Sequence, residues 1–385
     1  MVVSILPATD NQVETKRVES ILVPRLDESS NLSISTEAVS GYWSVTWLFL
    51  FIGNLNQTYM DKIAKIGIIG AGHIAEKMAV TLLGMEGVEL YAIAARDASR
   101  AAAFAEKWGF TKSYGSYEAL ADDAEVDLIY VATPHSHHYG QVKMCLERGK
   151  AVLCEKAFTA NAREAKELVA LSQEKGVFLS EAIWTRFMPF SKKISELAHS
   201  GMIGKPMMIT ASLGYPMANV ERILRPELCG GALLDIGVYP INFMMMLFGN
   251  DYSRVTSTCY KGETGVDLQN SMTFTYPDGR MAVMQTTAFC ANDRQGVISG
   301  TEGYIIVDNI NNPQTADVYS ADHILVEHFE CEPQITGYEY EVIESLKAMR
   351  CGAVETEFMP HAETLRVMRL LDSLRAEWGV KYPMD

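Results

Sequence analysis

The chain lacks a surplus of positive charge and any paired-cysteine motif. Each absence closes off a class of function. Lys and Arg number 33 against 48 Asp and Glu, a net charge of −15. No basic face is therefore expected to neutralise a phosphate backbone, which argues against a nucleic-acid partner. An anionic cofactor stays admissible, because a nest of amides and one or two arginines suffices to hold it. The seven cysteines are odd in number and scattered, with no C-x-x-C pair. That pattern argues against a disulfide or zinc framework and fits reduced thiols in the cytoplasm. No internal repeat or low-complexity tract is visible. At 385 residues, with 48% hydrophobic and 21% charged residues, the chain is long enough for two or three domains around a sizeable core.

Residues 1–60 read as an extension. Positions 1–40 are polar and rich in Ser, Glu, Asn and Thr, and are expected to be disordered. The apolar stretch 43–52 (WSVTWLFLFI) falls well short of the roughly 20 residues a membrane span needs. It also lacks a basic region close before it and a small-residue cleavage site after it, so a signal peptide is not expected. Met60, just ahead of the first strand pattern, reads as a biological start. A membrane-associating tail and a partner-binding segment are the other readings.

From Ile63 onward strand and helix patterns alternate, the signature of an α/β parallel sheet. Strands are expected at 63–69, 88–95, 127–132, 151–155 and 177–181, with helices at 73–83, 99–108, 137–148 and 162–175. Ser99 and Asn161 stand where N-caps belong. Gly84, Gly109, Gly149 and Gly176 stand at helix ends, where positive φ is wanted. After about Trp184 the texture changes. Helices are expected at 189–200 and 235–248. Strand-like runs follow at 207–214, 255–261, 271–276, 281–289, 295–300, 304–307 and 324–329, then two closing helices at 338–349 and 362–378. The fold class is α/β: an N-terminal doubly wound Rossmann sheet (61–182), then an α+β domain (183–385) with a large, mostly antiparallel sheet.

The most informative segment is 66–75 (IGIIGAGHIA). An isoleucine-rich run, as for a buried parallel strand, ends in Gly70-Ala71-Gly72-His73-Ile74-Ala75. The glycines permit a tight turn and close approach of the backbone to a pyrophosphate, and Ala75 is small enough for helix–strand packing. The helix that begins near His73 points its free N–H groups and positive dipole end at that phosphate. In such folds a carboxylate about 20 residues further on binds the adenosine ribose. Here the tip of the second strand carries Arg96, with Arg100 one helical turn on. Two arginines there favour NADP over NAD, since they can neutralise a 2′-phosphate. The counter-reading has Asp97 on the ribose and NAD as cofactor, both arginines being solvated.

Three further clusters carry chemistry. Thr133-Pro134-His135-Ser136-His137-His138 follows a strand at the carboxyl edge, where ligands sit in this architecture. The histidine spacing matches no standard metal motif, so Thr133, Pro134, His135 and His138 are read as cofactor-lining and no metal is expected. Glu155-Lys156 ends the next strand. An ammonium beside a nicotinamide can hydrogen-bond the reacting oxygen and assist proton transfer, while Glu155 could orient it or pack on the nicotinamide amide. Asp235 and Tyr239, four apart, share a face if helical. Aimed at Lys156 they would form a proton-relay site. The bland alternative is an N-cap and a core tyrosine.

The ordered set GAGHIA, AARDASR, ATPHSHH, CEKAFTANA, EAIWTRFMP and GGALLDIGVYP resembles the glucose–fructose oxidoreductase/inositol dehydrogenase (Gfo/Idh/MocA) family from Ile63 to the end of the chain. EAIWTRF and LLDIGVY are most similar to its dihydrodiol and D-xylose dehydrogenase branch. The resemblance implies hydride transfer between nicotinamide and a secondary alcohol or carbonyl of a sugar, polyol or cyclic trans-diol. It also implies a dimer through the open face of the C-terminal sheet. It makes Lys156, Tyr239 and Asp235 the catalytic set, and places Trp184 and Arg186 against cofactor and substrate. One departure stands out: the family's proline after the lysine is Ala157. Two rivals remain, a glycoside-acting enzyme with tightly held cofactor and a non-catalytic cofactor-binding regulator.

Overall fold

The protein is described by a computed structural model for residues 63–385. The expectations for the N-terminal extension lie outside the described residues.

The first half forms β1 (Ala64–Ile69), α1 (His73–Leu83), β2 (Val88–Ala94), α2 (Ala98–Trp108), β3 (Lys112–Tyr114), α3 (Tyr117–Ala121), β4 (Leu128–Val131), α4 (His135–Glu147), β5 (Ala151–Glu155), α5 (Ala162–Lys175) and β6 (Leu179–Ala182). All strands are parallel, in the order β3-β2-β1-β4-β5-β6. This is the doubly wound order, with its switch point between β1 and β4. The central strands are apolar because helices cover both faces: Ile66, Ile68, Leu128, Ile129, Val152 and Leu153 are at most 1% exposed.

The second half contains α6 (Pro189–Ala198), β7 (Pro206–Gly214), α7 (Glu221–Leu224), a π-turn (Leu233–Gly237), α8 (Val238–Phe248), β8 (Arg254–Lys261), β9 (Asp267–Thr275), β10 (Met281–Thr287), β11 (Gly296–Gly300), β12 (Gly303–Val307), β13 (Thr315–Ser320), β14 (Leu325–Glu330), α9 (Glu339–Arg350) and α10 (His361–Trp378). Its strands form one sheet in the order β14-β13-β12-β11-β7-β10-β9-β8, antiparallel throughout except where β10 runs parallel to β7. Alternate residues of β9 and β10 are buried, β10 under α8 and β9 under the π-turn, and the intervening ones are more open, the period of a one-sided sheet. The stretch Pro226–Phe248 is apolar and long enough to cross a membrane by composition, yet 89% of its most apolar window is buried as a core helix. Each large side chain buried there contributes about 1.5–3 kcal/mol, which anchors the helix bearing Tyr239.

Several expectations are corrected. Asp97, not Ser99, caps α2, because its carboxylate reaches the Ser99 and Arg100 amides. Gly84 closes α1 with φ −86°, whereas Gly109, Gly149 and Gly176 take positive φ. Helix α4 begins at His135, earlier than the histidine run suggested, with Pro134 as N-cap. Two strands and two short helices, α3 and the four-residue α7, were not foreseen. Strand β3 is a three-residue edge with no apolar run, α3 is a single short turn, and β13 is signalled only by Ala316 and Val318 alternating with polar residues. The closing helix α9 packs on β5 and places Val342 and Leu346 in the same core as Ile66 and Leu153.

Candidate active site

The glycine turn sits at the switch point. Gly70 takes φ +102°, and a Cβ there would lie 2.8 Å from the Ala132 carbonyl at the end of β4. At Gly72, the N-cap of α1, a Cβ would meet nothing within 4 Å, and no side chain caps the helix. The first amides of α1 therefore open onto free space at the positive end of the dipole, and a dinucleotide pyrophosphate fits what is present. Ile74 and Ala75 form the first turn, Ala75 fully buried against the sheet.

At the tip of β2, Asp97 is occupied as a cap: Oδ1 accepts from Ser99 N (2.8 Å), Ser99 Oγ (2.6 Å) and Arg100 N (3.3 Å). Those donors, the Ser99 hydroxyl first, hold its carboxyl below the usual range. Arg100 Nη2 donates to the Ala71 carbonyl inside the glycine turn (2.7 Å). Arg96 and Arg100 lie near enough to Tyr117, and Arg96 to His137, for their charges to act there, though burial dominates at both groups. Arg100 is fastened to the glycine turn, while Asp97 serves as the cap of its own helix.

After β4 the histidines turn inward. His138 is fully buried, with Nε2 2.8 Å from the Thr133 carbonyl and Nδ1 3.0 Å from that of Ala157. Burial pushes its pKa down to about 4. It is a buried strut between the loop after β4 and the loop after β5, not a group on the surface. His135, lowered to about 3 by burial, donates Nδ1–H to the Cys229 carbonyl (3.1 Å). That leaves Nε2 unprotonated, 3.9 Å from Asp235 Oδ1. Among the described residues no cluster of three or more His, Cys, Asp or Glu could hold a metal.

Lys156, Asp235 and Tyr239 converge at the carboxyl end of β5. Lys156 Nζ donates to the Asp235 carbonyl (2.6 Å), lies 3.5 Å from Asp235 Oδ1, and sits 5.2 Å from the centre of the Tyr239 ring. The Lys156–Ala157 peptide is cis. Asp235 and Tyr239 share the site through a π-turn followed by an α-helix, not through regular helical spacing. Such turns recur at functional sites because they re-aim side chains. Burial alone would raise the Asp235 carboxyl, but the charges of Lys156 and Arg222 hold it well below the usual range. Burial drives the Tyr239 phenol well above its ordinary pKa, so it is neutral. Glu155 accepts from the Tyr130 hydroxyl and from Lys156 N (3.1 Å), and burial pushes it up to about 7. Trp184 stacks on Tyr338, ring centres 4.3 Å apart.

Arg186 is not brought to this cluster. Its guanidinium bonds Asn242 (2.7 Å), the Phe358 carbonyl (3.4 Å) and Glu363 (3.3 Å), so it ties α8 to α10. Arg222 was missed, because it lies in the four-residue helix α7, which carries no motif. Nη1 and Nη2 grip Asp235 Oδ1 and Oδ2 at 2.6 and 3.2 Å. Tyr130, on an otherwise apolar strand, and Glu341, in the expected closing helix 338–349, were missed as well. A separate cavity of about 420 Å³ lies on the C-terminal sheet, lined by residues such as Gln269, Asn270 and Thr286. It shares no residue with the Lys156 cluster.

Residues 64–183 match the model of an oxidoreductase family with an NAD-binding Rossmann fold, and residues 191–306 match the GFO/IDH/MocA C-terminal domain. Among curated proteins, the chain is 36% identical to trans-1,2-dihydrobenzene-1,2-diol dehydrogenase of Xenopus tropicalis, over 83% of this chain and 99% of that one. It is 33% identical to the Homo sapiens enzyme of the same name, over 83% and 98%. Among solved structures, a 3-ketoreductase from Actinomadura kijaniata in complex with NADP superposes with a TM-score of 0.74 at 25% identity, covering 81% of this chain and 97% of that one. A levoglucosan dehydrogenase with NADH, at 19% identity and a TM-score of 0.74, covers 82% and 97% and shares the fold.

Proposed function

The chain belongs to the Gfo/Idh/MocA oxidoreductase family, and we propose that within it this protein is an NADP-preferring dehydrogenase of small cyclic trans-diols or sugars. One observation carries the reading: the Lys156 ammonium, the Tyr239 phenol and Asp235 meet at the mouth of the sheet whose switch point holds the glycine turn. The diol is taken from the names of the relatives at 33–36% identity. Preference for NADP rests on Arg100 bonding the glycine turn, with Arg96 at the same strand tip, while Asp97 is used as a cap. The amides of Gly72, His73 and Ile74, with Thr133 and Pro134 opposite, would hold the pyrophosphate, and Trp184 would border the ring. Nicotinamide, when bound, supplies or takes up the hydride.

The remaining steps belong to the chain's own residues. The substrate oxygen sits between Lys156 Nζ and the Tyr239 hydroxyl. In reduction the phenol, kept protonated by burial, gives its proton to that oxygen as negative charge develops, and the ammonium neutralises the charge. After reduction the phenolate regains its proton from solvent; in oxidation the phenol first releases its proton to solvent, and the phenolate, its charge neutralised by the Lys156 ammonium, then takes the substrate's hydroxyl proton. Asp235, gripped by Arg222, keeps Lys156 in place. The unprotonated Nε2 of His135 accepts a bond from a second hydroxyl, which suits a vicinal diol. A second copy of the chain is assigned to the open face of the C-terminal sheet, and the compartment is cytoplasmic, in keeping with seven free cysteines.

The test is kinetic. With trans-1,2-dihydrobenzene-1,2-diol and D-xylose, NADPH formation is expected for at least one. Lys156→Met and Tyr239→Phe should lower kcat by orders of magnitude and leave NADP affinity within about twofold. A modest loss in Lys156→Met removes the lysine from the chemistry. Binding without turnover on any sugar or diol makes the protein a cofactor-binding regulator, and cofactor that survives gel filtration favours the tightly held version.

A further inference from the structure

Asp235 reaches Lys156 through its backbone carbonyl as well as its carboxylate, so the lysine's position depends on the path of residues 229–235 and not on a rotamer alone. That path is held from two sides. From β9 comes Asp267, fully buried, whose Oδ2 accepts from Leu233 N at 2.7 Å, the first residue of the π-turn. The same oxygen accepts from Asn270 Nδ2 (2.9 Å), and Asn270 Oδ1 accepts from the Thr286 hydroxyl on β10 (2.7 Å). Beyond α10 comes Tyr382, whose hydroxyl donates to the Gly230 carbonyl at 2.6 Å. Tyr382 is itself braced by Arg375, 4.5 Å above its ring.

Between these two anchors the chain has no slack. Gly231 takes φ +110°, and a Cβ there would fall 2.5 Å from Asp267 Oδ1. Gly230 N and Gly231 N donate to the Arg225 and Ile223 carbonyls (3.0 and 2.8 Å). The segment bearing Arg222 and the segment bearing Asp235 are thereby fastened to each other and then to the sheet. Backbone amides and carbonyls buried here have no water to turn to, so each anchor removed frees the turn to find another path.

We propose that Asp267 and Tyr382 are positioning residues for the reaction: together they register the Gly230–Leu233 backbone, and through it the Asp235 carbonyl on which Lys156 is parked. Neither touches the reacting oxygen. They act on turnover through geometry, since an ångström of displacement in a catalytic group is enough to cost about a hundredfold. The inference rests on the catalytic role assigned to Lys156 above.

Asp267→Asn and Tyr382→Phe in the full-length chain test it. In cofactor-free protein, hydrogen–deuterium exchange of the peptide covering 229–237 should speed up at least tenfold, while the peptide covering 64–83 stays at the wild-type rate. On trans-1,2-dihydrobenzene-1,2-diol, kcat should fall tenfold or more with the KM for NADP unchanged. A Phe104→Leu control, loosening the Rossmann core to a similar loss of Tm, should keep its kcat. Faster exchange with wild-type kcat makes both residues purely structural and overturns the proposal, as does unchanged exchange. Should Asp267→Asn fail to fold, Tyr382→Phe carries the same two readouts with only one hydroxyl removed. Full turnover in Lys156→Met would instead strike down the catalytic reading, and the exchange result would still say whether the anchors hold the turn.

Discussion

Arg222 and Asp235 form a two-pronged ion pair across the site, Nη1 to Oδ1 at 2.6 Å and Nη2 to Oδ2 at 3.2 Å, with the carboxylate buried and the guanidinium partly in solvent. Asp235 carries one negative charge against two neighbouring cations, Arg222 and Lys156. The pair therefore sets how tightly the lysine is held. Arg222→Gln should lower kcat about tenfold. It should also cost about 1–3 kcal/mol of stability, less than the 3–5 kcal/mol for a fully buried pair, because Arg222 is partly screened by water. Urea unfolding of Arg222→Gln, Asp235→Asn and the double variant would measure it. Strictly additive losses would mean the two side chains do not interact.

Cofactor choice is predicted to lie with the arginines. Arg100→Ala, and more so Arg96→Ala/Arg100→Ala, should weaken NADPH binding about 10- to 100-fold and leave NADH nearly untouched, since only the former carries the 2′-phosphate. Fluorescence titration with both nucleotides decides the matter. Equal losses for the two would return the arginines to the solvent.

The two glycines of the turn should fail differently. Gly70→Ala forces a Cβ to 2.8 Å from the Ala132 carbonyl at a positive φ, so the cofactor-free protein should itself lose several degrees of Tm. Gly72→Ala meets open space in the protein, so its Tm should stay within a degree or two. Its methyl would occupy the room the pyrophosphate needs, and NADP affinity should fall at least tenfold. A Gly72→Ala variant with wild-type affinity would remove the phosphate from that helix end.

Stability should fall as pH rises through neutrality. Burial raises Glu155 and Glu181 to about 7, and Glu341, whose two carboxyl oxygens have no hydrogen-bond partner among the described residues, well above its ordinary value. In the unfolded chain these groups ionise near 4.5. Around pH 7 the native state therefore holds more protons than the unfolded one, and the free energy of unfolding declines with pH. His135 and His138, lowered to about 3 and about 4 by burial, pull the other way only below about 6.5, where unfolded histidine becomes charged. Calorimetry at pH 6.5 and 8.0 should show a lower Tm at the higher pH, and Glu341→Gln should flatten the difference. A Tm that climbs over this interval contradicts the assignment of these carboxyls as neutral.

Much of the first half was legible because its signals are local. An isoleucine run followed by G-x-G-x-x-A places a strand, a turn and a helix without reference to the rest of the chain, and α1 and α5 fall on the expected residues. At the start of α2 either Asp97 or Ser99 could serve as cap, because each carries a short polar side chain beside the first free amides. Only the side chain's direction separates them. The spacing of Asp235 and Tyr239 pointed to a shared face for the wrong reason, a regular helix where the chain makes a π-turn.

The linear order of residues determined the strand–helix alternation, the dinucleotide turn and the family, since each depends on neighbours within a few positions whose periodicity and backbone freedom can be read directly. Folding alone decided that Lys156 is gripped by a carbonyl 79 positions away and that Arg222 joins Asp235. It likewise turned His138 inward and tied Arg186 to a different pair of helices. Those outcomes depend on burial and on which polar groups are left without water, quantities that exist only once distant segments have closed around one another.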